Sequence, residues 1–168
     1  MLVLALPVQS AYPDKPIKII IGFPAGGPLD AHIRLLVEKL QSNLGQPVII
    51  DYKAGAGGVV GAQFVAQSPP DGYTLLLANT GTMVINPAIY TKAPYDTLKD
   101  FQPIARTAQQ PLALIVNKDV AANSLKEFVA YAKANPGKLN YGSAGNGGIS
   151  HLVPEMLKSE TGIFMVHI

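Results

Sequence analysis

The stretch IKIIIGFPAGGPLD, residues 17–30, decides the fold class of this chain. Residues 17–23 form a continuous apolar run rich in isoleucine, which is typical of a strand buried on both faces of a parallel sheet. The run stops at Pro-Ala-Gly-Gly-Pro, residues 24–28, where almost no side chains remain. A loop this bare is either a plain turn or a place where another molecule approaches the backbone itself.

The same order of strand, glycine loop and helix repeats along the next fifty residues. Apolar residues at helical spacing fill residues 29–44, and residues 48–52 read as a second strand. Gly55 to Gly58 form the next loop, a short helix carries Val60 and Phe64 on one face, and residues 73–78 read as a third strand. This β-α-β-α-β order predicts a parallel sheet whose loops after the strands lie along one edge.

A second, unfinished α/β unit is predicted beyond a middle segment of short helix and turns. Ser124 and Glu127 are spaced as a capping box for a helix that ends near residue 135. The other predicted elements are a strand over residues 112–117, a strand over residues 139–142, a helix through Leu152, Met156 and Leu157, and the first residues of a strand over residues 165–168.

The amino-acid composition indicates to which classes of protein this chain can belong. The chain has 168 residues, of which 48% are hydrophobic and 14% charged, so it can bury a core. Its net charge is only +2 and it has no basic block, so nucleic acid is excluded as a partner. It has no cysteine, and its three histidines are scattered without metal-ligand spacing, so we predict no metal site and no cofactor.

The N-terminus resembles the end of a secretory signal. An apolar run over residues 2–6 is followed by Pro7 and by small and polar residues, with a candidate cleavage site near Ser10 or Ala11. There is no basic residue before the run, and Gln9 is a poor residue for its place before a cleavage site. We favour a signal peptide remnant over residues 1–11, and hence export, against a plain hydrophobic tail.

Four glycine-rich loops follow predicted strands, at residues 24–28, 55–58, 80–82 and 143–148. Backbone N–H groups at the start of a helix attract anions, and glycine lets a ligand approach them. The four loops therefore favour an anion-binding protein, although a structural role is favoured for the loop at residues 55–58.

A Rossmann-like, nucleotide-dependent α/β enzyme is the alternative. GAGGVVG, residues 55–61, departs from the dinucleotide pattern G-x-G-x-x-G, and GSAGNGGIS, residues 142–150, lacks the lysine of a phosphate loop. Ser143 lies in YGSAG, which misses the nucleophile elbow G-x-S-x-G, so a catalytic pair with His151 is disfavoured. Asp30 and Arg34 are four residues apart and can pair on a helix, where Asp30 either caps the helix or holds the first loop.

Five blocks of the chain resemble the receptors of tripartite tricarboxylate transporters, also called Bug proteins. The blocks are YPDKPIKIIIGFPAGGPLD, LGQPVIIDYKAGAGGVVGAQFVA, PPDGYTLLLANTGTMVINPAIY, YDTLKDFQPIA and NPGKLNYGSAGNGGISHL, in this order. The resemblance implies an α/β fold of the type II periplasmic binding protein (Venus-flytrap) kind with two doubly wound lobes. The first lobe is then expected over residues 12–105 and a partial, incomplete second lobe over residues 106–168.

The resemblance also implies a function. It predicts a periplasmic, non-enzymatic receptor that binds a small organic carboxylate, a di- or tricarboxylate or related anion, for membrane permease subunits, and that is monomeric. In that family carboxylates are held mainly by backbone amides, hydroxyls and waters. Carried onto this chain, the ligand-binding residues are Phe23, Ala25, Gly26, Gly27, Asp30, Thr80, Gly81, Thr82, Ser143, Asn146, Gly147 and Gly148.

Two departures from the family pattern bear on this expectation. Val153 and Pro154 stand in a helix where the family has small residues, and proline removes a helical hydrogen bond when it lies beyond the first turn. The C-terminal part of the family's chain has no counterpart here, so a non-binding, truncated remnant of a receptor is a further alternative.

Overall fold

The computed structural model describes residues 11–143 and 147–168, and these divide into two compact units. One unit ends at Ala78 and the other runs from Asn79 to Ile168. The boundary between the two units therefore lies before residue 105. The segment after residue 90 belongs with the second unit, because it contacts the helical turn with which that unit begins. The Tyr95 hydroxyl donates to the Thr82 carbonyl at 2.5 Å, and the Thr97 hydroxyl donates to the Met83 carbonyl at 2.7 Å. The assignment of residues to two lobes stays a prediction.

The first unit is a three-stranded parallel sheet with two crossover helices. Strands β1 (Ile17–Ile21), β2 (Val48–Tyr52) and β3 (Thr74–Leu77) lie in the order β2-β1-β3. Helices α1 (Pro28–Leu44) and α2 (Val59–Ala66) connect them. Since all three strands run the same way, the loops that follow them share one edge of the sheet, which confirms the predicted parallel β-α-β-α-β order.

The isoleucine run forms the centre of this unit. Ile20 and Ile21 of β1 are fully buried, and Ile19 and Ile21 pack with Ile33 of α1 and Leu77 of β3. The unbroken apolar run predicted a parallel strand that is buried on both of its faces, and β1 is buried in this way.

The loop after β2 serves packing. A Cβ atom on Gly22, just beyond β1, would lie 2.7 Å from the Cα of Gly58, and a Cβ on Gly61 would lie 2.8 Å from the Cα of Gly22. The start of α2 thus rests directly on the backbone at the end of β1. The structural role predicted for residues 55–58 agrees with this contact.

The second unit is built from short elements. A π-helical turn (Gly81–Ile85) continues into α3 (Asn86–Ile89). Further along the chain are α4 (Leu125–Ala134), β4 (Asn140–Tyr141), α5 (Ile149–Thr161) and β5 (Val166–His167), with β4 and β5 paired in parallel.

Helix α4 has the predicted cap. The Glu127 N–H donates to the Ser124 hydroxyl at 3.2 Å, and the Glu127 carboxylate accepts from the Asn123 N–H at 2.8 Å. Phe128 and Ala132 of this helix pack with Ile163 and Met165 as the core of the unit.

The strand predicted over residues 112–117 is wrong. Residues 102–115 are all exposed and pair with no strand of the described chain, and the side chain of Ile115 is 86% exposed. A strand is stable only when a neighbouring strand takes its N–H and C=O groups, and β4 and β5 pair with each other instead. β-propensity alone does not supply that neighbour.

Pro154 lies inside α5, beyond its first turn, so it removes one helical hydrogen bond there, as expected. In the described part of the chain, no helix is both long and apolar enough to cross a membrane.

The contact between α2 and β1 gives a test of the packing. Gly61→Ala places a methyl group against the backbone of Gly22, so we expect the free energy of unfolding to fall by about 1–3 kcal/mol, although alanine is the better helix former. Thermal and urea unfolding measure this change. Gly142→Ala is the control, because nothing lies within 4 Å of its added Cβ. Equal stability of the two variants would show that this contact is not close-packed in solution.

Candidate functional site

The first predicted ligand loop joins β1 to α1, and the Asp30 carboxylate holds it. Asp30 is only 4% exposed, and its Oδ2 accepts the Gly26 N–H at 2.8 Å. Its Oδ1 accepts from Arg34 Nε at 2.8 Å and from the Tyr52 hydroxyl at 2.6 Å. Asp30 therefore connects the loop to α1 and to the end of β2, which matches the loop-holding role considered from the sequence rather than a contact with an anion.

The electrostatics of this network keep Asp30 ionised. The hydrogen bond from the Tyr52 hydroxyl lowers the pKa of Asp30 below its ordinary value, and the Gly26 N–H and the charge of Arg34 act in the same direction. The Asp30 carboxylate in turn raises the pKa of Tyr52, which stays neutral. The half-exposed Arg34 guanidinium also donates to the Tyr52 hydroxyl at 2.7 Å.

The backbone of the first loop is open to a ligand. Gly26 adopts φ = 84°, in the left-handed region that favours glycine, and no atom lies within 4 Å of a Cβ built on it. Gly27 precedes α1 as its N-cap without a capping side chain, and the nearest atom to a Cβ there is the Pro24 carbonyl oxygen at 3.5 Å. Ala25 is exposed, whereas Phe23 is partly buried against the core.

The second predicted ligand loop begins the π-helical turn of the second unit. The Asn79 side chain accepts the Thr82 N–H at 2.9 Å and its hydroxyl at 3.2 Å, so Asn79 acts as the cap. Thr82 is 2% exposed and Gly81 is also buried, whereas Thr80 is exposed. The Thr82 hydroxyl therefore faces its own helix cap in this structure. Helical turns of the π type occur often at functional sites.

The third predicted ligand loop precedes α5, where Gly148 is the N-cap and has no capping side chain. The Ser143 Oγ lies 2.7 Å from His167 Nε2, and the Gly147 N–H donates to His151 Nδ1 at 3.2 Å. Asn146 lies outside the described residues.

The third predicted loop contacts α3 within the second unit. Gly147 adopts φ = 78°, and a Cβ built on it would overlap the Ile89 side chain and lie 3.9 Å from Asn86 Oδ1. Ile89 and Asn86 belong to α3, which continues the helical turn that starts at the second loop. The structure thus places Gly147 beside α3, and a shared site with Thr80, Gly81 and Thr82 stays a prediction.

A cluster of rings behind the third loop was missed from the sequence. The ring centroids of His151 and His167 are 4.3 Å apart, and Tyr141 stacks on His167 at 4.9 Å. Sequence reasoning disfavoured a pair of Ser143 with His151, and in this structure the Ser143 Oγ lies 2.7 Å from His167 Nε2. The parallel pairing of Tyr141 with His167 brings the rings together, and the final strand signal at residues 165–168 was the available clue.

Charged groups border this cluster. The Tyr141 hydroxyl donates to Glu155 at 2.5 Å, and burial together with this carboxylate raises the pKa of Tyr141 to about 12. The Lys158 ammonium, 2.7 Å from Glu155, is the main cause of the lowered pKa of that carboxyl group, and the Tyr141 hydroxyl is the next. Within residues 11–143 and 147–168, no group of three or more His, Asp or Glu side chains is arranged to hold a metal ion.

Solved structures define the class of this protein. A periplasmic transporter protein matches with a TM-score of 0.83 and 40% identity, over 94% of this chain and 53% of that one. An R. palustris protein with adipate matches with a TM-score of 0.87 and 31% identity, over 94% and 52%. MatC from Rhodopseudomonas palustris with bound malate gives a TM-score of 0.82 and 31% identity, over 94% and 53%. The predicted α/β fold of a periplasmic binding protein is confirmed.

Sequence comparison identifies the family. The family described as "Tripartite tricarboxylate transporter family receptor" matches residues 32–168. The protein BugT of Bordetella pertussis is 37% identical over 161 residues, 95% of this chain and 49% of BugT, and a UPF0065 protein of the same organism is 43% identical over 94% and 48%. This chain belongs to the tripartite tricarboxylate transporter receptor (Bug) family. It spans about half the length of these curated relatives.

The lowered pKa of Asp30 predicts an acid-sensitive first loop. Because the pKa of Asp30 is lower in the folded state, the stability it contributes is present above the unfolded pKa of about 3.9 and is lost as pH falls through the folded value. We expect Asp30→Asn to lower the melting temperature at pH 6, and the difference from the unmodified chain to shrink towards pH 2. Glu38→Gln, an exposed position on α1, is the control. A difference that stays constant with pH would contradict an ionised Asp30 in this network.

Proposed function

We propose that this chain is the part of a periplasmic receptor that binds a small organic carboxylate, a di- or tricarboxylate or related anion. The observation that carries the proposal is the bare first loop. A buried, ionised Asp30 accepts the Gly26 N–H and so holds the loop in place, while little fills the space in front of Gly26 and Gly27 at the start of a 17-residue helix. The start of a helix carries unpaired N–H donors and a partial positive charge, and both attract a carboxylate.

The residue types of the loops support an anion that is read by the backbone. Residues 23–28, 80–82 and 143–148 contain no lysine or arginine. Glycine provides access to N–H groups, and Thr80 and Ser143 add hydroxyl donors. The structural neighbours with adipate and with malate have ligands of this chemical class.

Magnitudes indicate how many donors such a site needs. A micromolar dissociation constant corresponds to about 8 kcal/mol, whereas a hydrogen bond to a charged group contributes roughly 1.5–3 kcal/mol before the cost of association. Three or four bonds from a single loop therefore barely reach that affinity. By resemblance to the family, the loops of the second unit that carry Thr80, Gly81, Thr82, Ser143, Gly147 and Gly148 are also proposed to bind carboxylate.

The other functional features rest on family membership. We propose a receptor rather than an enzyme, located in the periplasm, working with the membrane permease subunits of a tripartite transporter and acting as a monomer. A site lined by backbone N–H groups recognises the charge of the carboxylates. The part of the ligand between its carboxylates is recognised by other contacts.

Substitution in the first loop tests the proposed function. Gly27→Val fills the open space in front of the backbone, so we expect the heat of binding of adipate or malate to disappear in calorimetry while far-ultraviolet circular dichroism stays nearly unchanged. Ser42→Val adds the same side chain at an exposed position near the other end of α1 and should bind as the unmodified chain does. Undiminished affinity in Gly27→Val would exclude this loop as the site.

A further inference from the structure

The two imidazoles behind the third loop are attached to that loop by hydrogen bonds. His151 is in the first turn of α5 and His167 is in β5, and their ring centroids lie 4.3 Å apart. His151 Nδ1 accepts the Gly147 N–H at 3.2 Å, and His167 Nε2 lies 2.7 Å from the Ser143 hydroxyl oxygen. Both rings thus bond to residues of a loop that the proposed function assigns to the carboxylate.

The direction of the bond from Gly147 specifies the protonation of His151. An imidazole nitrogen that accepts a hydrogen bond carries no proton, so neutral His151 has its proton on Nε2. In this state the Gly147 N–H donates to His151 Nδ1 and is therefore engaged within the protein. A proton on Nδ1 removes that acceptor, and the ring and Gly147 then each have an N–H to donate.

We propose that His151 is a ligand-binding residue of this receptor and that it takes up one proton from the solvent when the carboxylate binds. This inference rests on the proposed function. In the bound state the Gly147 N–H and the His151 Nδ1–H both donate to carboxylate oxygen, and the imidazolium supplies the positive charge that the loops themselves lack. The site then recognises a carboxylate with one charge-assisted bond in addition to its backbone bonds.

The charged neighbours of His151 are compatible with a single proton. Glu155, on the same helix, carries a negative charge that favours the imidazolium, and Lys158 bonds to Glu155 and partly offsets it. Tyr141, with its pKa raised to about 12, stays neutral. A second proton on His167 would place two cations with ring centroids only 4.3 Å apart, so the pair takes up one proton and not two.

The sign of the pH dependence follows from this linkage. Because the bound state holds one more proton than the free state, affinity is highest at low pH and falls as pH rises. We expect affinity to fall by about tenfold between pH 6.5 and pH 8.5, a range in which carboxylic acids with pKa values of about 4–5 are already ionised.

Calorimetry of adipate and malate in buffers with different ionisation enthalpies measures the proton uptake directly. We expect between about a half and one proton taken up per ligand at pH 7.5. His151→Gln keeps an acceptor for the Gly147 N–H but cannot be protonated, so its affinity should no longer change between pH 6.5 and pH 8.5 and its uptake should vanish. His32→Gln removes the one histidine of the chain that lies outside the cluster and should retain the full pH dependence.

The outcomes separate this inference from the proposed function. Binding with pH-independent affinity and no proton uptake overturns the role of His151 and leaves the carboxylate receptor standing. No binding of adipate or malate at any pH overturns both. If proton uptake persists in His151→Gln and is lost in His167→Gln, the proton binds to His167, and this result contradicts the assignment to His151.

Nitrogen NMR of the unmodified chain gives an answer that requires no variant to fold. The Nδ1 resonance of His151 should move to the position of a protonated nitrogen on saturation with adipate at pH 7.5. An unchanged Nδ1 resonance in the saturated protein would overturn the proposal.

Discussion

The first loop of this protein, residues 24–28, has no side chain that forms hydrogen bonds, and the buried Asp30 carboxylate holds the loop through its bond to the Gly26 N–H. One of its oxygens accepts the Gly26 N–H, and the other accepts from Arg34 and from the Tyr52 hydroxyl. The conformation of the loop is therefore coupled to the first turns of α1 and to the end of β2. The negative charge of Asp30 is thus satisfied by three donors of the protein itself.

In the third loop, imidazole side chains take the place of the carboxylate as hydrogen-bond partners of the loop. Gly147 donates to His151 in much the same way as Gly26 donates to Asp30, in each case to a side chain four residues further along the chain. The two acceptors differ chemically, because the pKa of the Asp30 carboxylate is lowered and this group keeps its charge at neutral pH. Under the role proposed for His151, the third loop exchanges its internal acceptor for a ligand, whereas the first loop keeps its own.

Glycine has different tasks in different loops of this chain. At Gly61 it lets α2 rest on the backbone just beyond β1, where a methyl group would clash with Gly22, and a methyl group on Gly22 would in turn clash with Gly58. At Gly26 and Gly27 a Cβ would meet almost nothing, so the space there is available to another molecule. The same residue type thus marks close packing in one loop and open access in the other, and only the coordinates of its neighbours distinguish the two.

The sequence by itself determined the elements whose signal is local. The isoleucine run predicted a strand buried on both faces, helical spacing predicted α1, and Ser124 with Glu127 predicted the start of α4. Each of these depends on residues close together in the chain, where side-chain period and capping act directly.

Tertiary structure decided the rest, because it depends on partners distant in the chain. The segment at residues 112–117 has the composition of a strand but no neighbour to pair with in the described chain, so it forms no strand and its residues 112–115 are exposed. The His151–His167 pair exists only because β5 lies beside β4, which no spacing in the sequence reveals. Residue types near one another in the sequence predicted the candidate loops. The pairing of strands that are distant in the chain determined which side chains lie next to those loops.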